Sequence, residues 1–400
     1  MIMKKISIAL SLTIFGLCSC VEDYTSKEYL SKVLINLEKI ESATFWVTAE
    51  AWNPGDTAAT YVVNQYVESY RNPSDTTIGT SWANFYTEQK THLDFAYDGK
   101  MRAIIYDDVK NVVIDSFKVR QLPFRPILPP FFNYAENIIR YIIENNDSTF
   151  VEQKDLGEEI YIKLMIYEDR QVEFFGKAHY IPENPYTFDP TSIYELWINK
   201  KSNLPQKVRR EMSHNISVSS VYDFEFNKLK LENFTASDYF PKDYEISQYG
   251  QKGKESQPNA LIGKTVPDWT LQSDDNQDIS LSDFKSKVLM IQFTSVSCGP
   301  CKASIPFLKK LSKDYKKTDF DFVAIECTSK NSNVLKSYRS RNDFDYKFLL
   351  STKDVLKAYS ITSFPVFLII DENRKIINVI NGYSEEKTDK EIRTLINDLI

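Results

Sequence analysis

The sequence predicts two domains of different classes, an N-terminal α+β domain that is mainly antiparallel and a C-terminal α/β domain. Three observations support this division. Strand-like segments before residue 229 follow a helix, meander, helix, meander order, typical of a curved antiparallel sheet or half-barrel partly covered by helices. Further on, the apolar run Val288–Phe293 predicts a buried strand, and the amphipathic segment Lys302–Tyr315 predicts a helix. Between them, residues 248–260 are polar and without periodicity, which predicts a linker.

The overall composition is that of a globular chain with no sign of nucleic-acid binding. The chain has 400 residues and a formal net charge of −6, which disfavours a nucleic-acid partner. It contains 24 Tyr and 25 Phe but only 11 Gly, which suits strands with large inward side chains and short polar turns.

Residues 1–19 are predicted to be a bacterial export signal. Two lysines precede the apolar run Ile6–Leu17, which is shorter than the ~20 residues needed to span a bilayer. The run ends in Leu17-Cys18-Ser19-Cys20, which resembles the bacterial lipobox. That resemblance implies a lipid on Cys20 and a membrane anchor in the cell envelope, with a soluble secreted product as the alternative. Val21 after the cysteine favours the outer membrane over the inner one and leaves the periplasmic and surface faces both open.

The N-terminal domain is predicted over residues 20–247. A capping box at Thr25–Glu28 begins one helix, and Tyr134–Glu144 predicts a second. The predicted strands are Thr44–Ala51, Tyr61–Arg71, His92–Tyr97, Met101–Asp107, Asn111–Lys118, Ile160–Tyr167, Tyr194–Asn199, Gln206–Met212 and Ser217–Lys228.

Several of these segments resemble the LolA/LolB and RseB group of periplasmic lipoprotein-handling domains. The resemblance is carried by Ser42–Phe45 after the first helix, Phe95–Lys100, Tyr194–Lys200 and Asn203–Val208. It implies a concave sheet face that binds something apolar, such as acyl chains or a lipoprotein. The alternative is a structural spacer whose aromatic side chains pack a core.

The C-terminal domain, residues 261–400, contains the most informative motif, Cys298-Gly299-Pro300-Cys301. Because it lies where a strand leads into a helix, the unpaired amides and the dipole of the helix N-terminus stabilise a thiolate there. This lowers the pKa of the thiol and predicts Cys298 as the nucleophile. Cys301, one helical turn later, is predicted to resolve a mixed disulfide.

A CxxC pair has two other interpretations. A zinc site needs two further ligands, but the three histidines are scattered and Cys327 is the one other cysteine nearby. A purely structural disulfide is possible in an exported protein, although two-residue spacing at a helix start suits redox cycling better. The pattern therefore favours redox chemistry.

With further motifs, this region resembles the thioredoxin superfamily, in particular its TlpA-type and redoxin-type thiol–disulfide oxidoreductases. The supporting residues are the CxxC motif, Phe364-Pro365 before the run Val366–Ile370, Ile262–Trp269, Ile279–Phe284, Pro306 and Gly382. The resemblance implies a thioredoxin fold, no cofactor, and a cis proline at Pro365 that faces the active-site disulfide and shapes the peptide-docking surface. It also implies client proteins with disulfides and a separate thiol electron donor as partners.

The chain departs from the family pattern at its acidic positions. Gln292 stands where thioredoxins carry a buried acid, and Ser304 stands where TlpA-type proteins often carry a glutamate. Glu326 follows a predicted strand whose carboxyl end points at the site, so it is a possible proton acceptor or an ordinary strand-end glutamate. Cys327 is either a third redox thiol or an inert buried residue.

Together the motifs predict a membrane-anchored thiol–disulfide oxidoreductase of the cell envelope that reduces client disulfides. Peroxidase activity is disfavoured because Thr294 is one residue too far from Cys298 for the peroxidatic pattern. The Gly-Pro dipeptide between the cysteines favours reduction, while oxidation and isomerisation stay open. The alternative function is an envelope binding protein for an apolar or lipoprotein ligand with a subsidiary redox domain.

Overall fold

A computed structural model describes residues 26–90, 92–118, 127–144, 147–182, 189–229, 234–249 and 258–400. The predicted signal 1–19, the anchor Cys20 and the middle of the predicted linker therefore lie outside the described residues. None of the helices within these ranges is long and apolar enough to cross a membrane.

The N-terminal part is dominated by strands, with two α-helices placed before and between the two groups of strands. The elements of this part are α1 (Ser26–Glu38), β1 (Ser42–Trp52), β2 (Tyr61–Arg71), β3 (Thr80–Phe85), β4 (Leu93–Tyr97), β5 (Arg102–Tyr106), β6 (Asn111–Asp115), α2 (Phe131–Glu144), β7 (Thr149–Asp155), β8 (Glu159–Ile166), β9 (Val172–Phe174), β10 (Ala178–Tyr180), β11 (Ser192–Asn199), β12 (Leu204–Met212), β13 (Asn215–Phe226) and β14 (Glu245–Gln248).

Both predicted meanders join in a single twelve-stranded sheet. Its strand order is β14-β6-β5-β4-β3-β2-β1-β13-β12-β11-β8-β7, while β9 and β10 form a separate hairpin. The meanders join because β1 pairs antiparallel with β2 on one side and with β13 on the other. All neighbours in the sheet are antiparallel except β14 and β6, which are parallel. The predicted α+β class is confirmed, whereas the half-barrel curvature stays a prediction.

The two helices pack their apolar sides into the main core of this part. Alternate side chains of the strands, such as Phe45 of β1 and Leu196 of β11, point into that core. Leu30 of α1 and Ile138 and Ile139 of α2 are fully buried in it. At about 1.5–3 kcal/mol for each buried aliphatic side chain, this packing supplies much of the stabilisation of both helices.

The C-terminal part alternates strands and helices. Its elements are β15 (Thr270–Gln272), β16 (Asp278–Ser280), β17 (Val288–Thr294), α3 (Gly299–Asp314), β18 (Phe320–Glu326), α4 (Ser332–Asn342), β19 (Lys347–Leu350), α5 (Lys353–Ala358), β20 (Val366–Ile370), β21 (Ile376–Asn381) and α6 (Glu385–Leu399).

A five-stranded sheet in the order β19-β18-β17-β20-β21 forms the centre of the C-terminal part. Strands β17, β18 and β19 are parallel, and β20 and β21 run antiparallel to them. All seven residues of β17 are buried, as expected for a central strand covered on both faces. This arrangement agrees with the predicted α/β class and includes an additional unit, α4 and β19, between β18 and β20.

Short or irregular strands were the ones that the sequence pattern missed. The predictions gave no range for β3, β7, β9, β10, β14, β15, β16 or β19, which are between three and seven residues long. Five of the seven residues of β7 are partly buried or exposed polar positions with no alternation of burial, so the strand lacks the period-two signal. Tertiary pairing with β8 determines its conformation instead.

Candidate functional site

The CxxC motif lies in the turn between β17 and α3, as predicted. Cys298 is the N-cap residue of α3, and its Sγ accepts a hydrogen bond from the amide of Cys301 at 3.2 Å. The amide of Cys298 donates to the carbonyl of Ser295 at 3.0 Å, which closes the turn. A sulfur in this position lies at the positive end of the helix dipole and next to a donating amide, both of which stabilise a thiolate.

Cys298 and Cys301 form a disulfide, with their Cα atoms 5.2 Å apart. The two sulfur-bearing residues differ in access to solvent, because Cys298 is half-buried while Cys301 is only 2% exposed. Thiol–disulfide exchange requires direct approach of one sulfur to another. The geometry therefore makes Cys298 the residue that an external disulfide can reach.

Pro365 lies at the same sheet edge as the CxxC turn. The Phe364–Pro365 peptide bond is cis, as predicted from the resemblance. Val366 begins β20 directly opposite Phe293, near the end of β17, so the preceding proline lies level with the start of the active-site turn. The carbonyl of Pro365 accepts a hydrogen bond at 2.8 Å from the amide of Gly382, the residue that directly follows β21.

Glu326 is fully buried at the end of β18, opposite Thr294. One carboxylate oxygen accepts the amide of Val296 at 2.8 Å. The other accepts the amides of Thr328 and Ser329 and the hydroxyl of Thr328, at 2.5–2.8 Å. Burial raises the pKa of Glu326, and these hydrogen bonds oppose the rise. Glu326 thus connects the active-site turn to the loop after β18.

Cys327, the residue after Glu326, is a free and half-buried thiol. Its Sγ donates to the carbonyl of Ile325 at 3.2 Å. Burial, followed by the neighbouring Glu326 carboxylate, raises the pKa of Cys327 well above its usual range. These surroundings disfavour a reactive thiolate at this position.

Gln292 and Ser304, the two positions where the resemblance implies acids, come together in the structure. The side-chain amide of Gln292 donates to the hydroxyl of Ser304 at 3.0 Å, and both residues are buried. The Ser304 hydroxyl in turn donates to the carbonyl of Cys301 at 2.7 Å. A neutral hydrogen-bonded chain therefore replaces carboxylates beside the second cysteine.

A row of hydroxyl groups beside the CxxC turn was not predicted. Ser295 Oγ lies 2.9 Å from Ser297 Oγ and 2.8 Å from Thr328 Oγ1. The signal in the sequence was the concentration of serine and threonine directly after two neighbouring strands, at Ser295–Ser297 and Thr328–Ser329. Parallel strands end at one sheet edge, so polar residues that follow them meet there.

The structure thus brings Cys298, Cys301, Pro365 and Glu326 to one edge of the five-stranded sheet. Their roles in catalysis stay predictions, and Cys20 lies outside the described residues.

Several known proteins are similar to the part of the chain that carries this site. The thiol–disulfide oxidoreductase ResA of Geobacillus thermodenitrificans is 27% identical over 122 residues, which are 30% of this chain and 70% of that protein. ResA of Bacillus subtilis is 28% identical over 148 residues, or 36% of this chain and 79% of that protein. The thioredoxin-like protein YneN of the same organism is 28% identical over 127 residues, 31% and 74% of the respective chains.

Solved structures also match this region. A thiol:disulfide interchange protein of the thioredoxin family from Chlorobium tepidum is 20% identical and has a TM-score of 0.31, covering 36% of this chain and 99% of that one. The thioredoxin domain of a thiol–disulfide oxidoreductase from Bacteroides vulgatus is 22% identical with a TM-score of 0.31, covering 35% and 98%.

The family model that matches is Redoxin, over residues 261–396. This range contains the disulfide at the start of α3, the cis proline and the whole five-stranded sheet. The C-terminal third of the chain is therefore a redoxin domain, and its activity is that of a thioredoxin-like thiol–disulfide oxidoreductase.

Proposed function

We propose that this protein reduces disulfides in client proteins of the bacterial cell envelope while a lipid on Cys20 tethers it to a membrane. The observation that carries the proposal is the Cys298–Cys301 disulfide at a helix N-terminus, in which only the first cysteine is accessible. That asymmetry fits a couple in which one sulfur meets the client and the other acts from within.

The reaction consists of two exchange steps. The Cys298 thiolate attacks one sulfur of the client disulfide, which forms a mixed disulfide and releases the other client sulfur as a thiolate that takes up a proton. The Cys301 thiolate then attacks Cys298 Sγ and releases the second client sulfur, again as a thiolate that is protonated. The client gains two electrons and two protons, and the Cys298–Cys301 disulfide that remains is reduced by a separate dithiol protein.

The trapped intermediate provides the test. In a Cys301→Ser variant, the second step cannot occur, so incubation with a disulfide-bearing polypeptide should accumulate a mixed disulfide at Cys298. A Cys298→Ser variant should form none, and a Cys327→Ser variant should turn over like the unchanged protein. Trapping at Cys327, or no trapping at any position, would contradict the proposal.

The direction of electron flow is tested by the reduction potential of the Cys298–Cys301 couple. A value near about −270 mV, as in thioredoxin, supports a reductase that needs an electron supply. A value near about −120 mV, as in DsbA, would make the protein an oxidant and overturn the reducing direction.

The anchor is tested separately. Labelled fatty acid should be incorporated into the unchanged protein in a bacterial host and not into a Cys20→Ser variant, and fractionation should place the labelled protein in the outer membrane. Label in the variant, or a fully soluble unchanged protein, would contradict the anchor.

No specific observation favours the alternative of an apolar-ligand-binding protein. On the N-terminal sheet, the apolar face packs against the side chains of α1 and α2, including Leu30, Ile138 and Ile139. These side chains belong to a packed core, as the spacer interpretation expects.

A further inference from the structure

We propose that the N-terminal domain forms one wall of the client-binding site and that an extended segment of the client chain binds between the two domains. The surface consists of Ala59–Val62 at the start of β2 and of Thr328, Lys330, Asn331 and Ser332 after β18, and it is here called the interdomain cleft. This inference rests on the proposed function, because it names where the polypeptide substrate of the redox site docks.

The twelve-stranded sheet faces the redox domain with one end of its central strands β1, β2 and β13. Strand β1 ends where β2 and β13 begin, since Ala51 pairs with Tyr61 and Trp52 pairs with Ile216. The loop 53–60 and the β12–β13 turn at 213–214 are therefore neighbours at that end of the strands. Both of them contact the first turn of the active-site helix.

The contact is made by Lys302, the residue directly after Cys301. Its ammonium group donates to Oδ1 of Asn53 and to the backbone carbonyl of His214, both at 3.4 Å. Ala58 of the same loop packs against the apolar core of the redox domain. The N-terminal domain therefore contacts α3 at the residue that directly follows the disulfide.

A buried ion pair fixes this loop to the redox domain. The Asp56 side chain is 0% exposed, and Arg341 of α4 lies 2.6 Å from its Oδ1. The other oxygen, Oδ2, accepts hydrogen bonds from Asn53 and Thr60 within the loop. A buried carboxylate is stable only with a charge partner and full hydrogen bonding, and here the charge comes from the other domain.

Buried side chains also support the β12–β13 turn. Arg210 pairs with Glu173 at 2.7 Å, with side-chain exposures of 11% and 4%, and it also hydrogen-bonds Asn215. Gln171 donates to the hydroxyl of Ser213 at 3.2 Å. The turn that meets Lys302 is thus held by a buried polar network rather than left as a free hairpin tip.

The interdomain cleft beside these contacts has a volume of about 590 Å³. Tyr61 and Val62 are 53% and 59% exposed and give one wall an apolar surface. The opposite wall offers hydroxyl and amide groups and the ammonium group of Lys330. Apolar side chains on one side and polar groups on the other match an extended polypeptide, which presents alternate side chains and its backbone to the two walls.

Hydrogen bonds connect one wall of the cleft to the redox site. Thr328 belongs to its wall and hydrogen-bonds Ser295, which in turn bonds Ser297, the residue before Cys298. A client segment in the cleft would therefore lie next to the loop that presents the nucleophilic sulfur. A small disulfide reagent has no such segment, so it reaches Cys298 without using the cleft.

This difference defines the experiment. In the full chain, kcat/KM is measured with insulin, a polypeptide disulfide, and with bis(2-hydroxyethyl) disulfide. The readout is kcat/KM for insulin divided by kcat/KM for the small disulfide. Val62→Ser should lower this ratio about fivefold, since the client no longer buries the apolar surface of Val62. Lys330→Ser should lower the same ratio roughly twofold to fivefold.

The matched control variants are Leu156→Ser and Lys317→Ser. Leu156 is 54% exposed at the β7–β8 turn, which lies at the opposite end of the strands of the large sheet. Lys317 precedes β18, whereas Lys330 follows it. Neither should alter the ratio. An unaltered ratio in Val62→Ser, or equal loss with both disulfides, overturns the docking surface and leaves the redox activity standing. An unchanged protein that reduces neither disulfide overturns the proposed function itself.

Discussion

The side-chain amide of Gln292 lies 3.0 Å from the hydroxyl of Ser304, and both residues are buried. Gln292 is in the central strand β17, and Ser304 is one turn after Cys301 in α3. Both side chains are neutral, and Ser304 also donates to the carbonyl of Cys301. Neither position can therefore accept the proton of the Cys301 thiol, and a different group or water must do so.

Gln292→Glu should convert this neutral pair into a pH-dependent defect. Burial raises the pKa of an introduced carboxyl group, so the folded chain would keep its proton at pH values where the unfolded chain has lost it. The free energy of unfolding should thus fall as the pH rises above about 4.3, by about 2 kcal/mol near neutrality. Denaturant unfolding at several pH values measures this.

The control for that variant is Gln277→Glu, at an exposed position. It should show no added pH dependence, because an exposed carboxyl group titrates alike in the folded and unfolded chains. If the free energies of unfolding of Gln292→Glu and the unchanged protein differed by the same amount across this pH range, the role assigned to burial would be contradicted.

Glu326→Gln should destabilise the active-site turn. The carboxylate accepts four hydrogen bonds, and the amide nitrogen of glutamine would face a donor where an acceptor is needed. An unsatisfied buried backbone amide costs about 1–3 kcal/mol, so we expect a loss of about 2 kcal/mol in the free energy of unfolding. Glu372→Gln, at an exposed turn, should cost nothing measurable.

The loss of stability in Glu326→Gln should also depend on pH. Because burial raises the pKa of Glu326 in the folded chain above its ordinary value of 4.5, the part of its stabilisation that is linked to protonation is fully present below that value. As the pH rises through the folded-state pKa, that part is lost, and the loss of about 2 kcal/mol that remains in Glu326→Gln is due to the four hydrogen bonds of the carboxylate. The advantage of the unchanged protein over Glu326→Gln should therefore shrink with rising pH, and a growing advantage would refute the direction of the shift.

The sequence was most informative where a pattern follows from the backbone period or from a motif. The buried run of β17 and the CxxC motif together located the redox site, because a strand followed by a helix has one geometry at their junction. The cis Pro365 followed from the resemblance alone. By contrast, contacts such as that of Asp56 with Arg341 join residues that no local period relates, so only the folded chain reveals them.

The Asp56–Arg341 pair should contribute more to stability than an exposed ion pair. Arg341→Gln leaves the fully buried Asp56 carboxylate without its charge partner, which should lower the free energy of unfolding by about 2–3 kcal/mol. Arg393→Gln breaks a pair with Asp314 in which neither side chain is buried, with exposures of 31% and 33%, and should cost about 1 kcal/mol or less. Chemical unfolding of both variants measures the difference.

A double-mutant cycle with Asp56→Asn separates the pair from other effects of the substitution. If the two side chains interact as the geometry indicates, the double variant should lose clearly less stability than the sum of the two single variants. Additive losses would mean that Arg341 stabilises the chain through contacts other than Asp56.

Cys327 should be chemically inert in the folded protein. Burial and the adjacent Glu326 carboxylate raise the pKa of its thiol, whereas the pKa of reduced Cys298 should be lowered by its place at the start of α3. At about pH 8, iodoacetamide should therefore modify Cys298 in the reduced native protein and leave Cys327 unmodified, as peptide mass spectrometry would show. In denaturant both cysteines should react, which serves as the control for labelling. Modification of native Cys327 as fast as Cys298 would instead support the alternative of a third redox thiol.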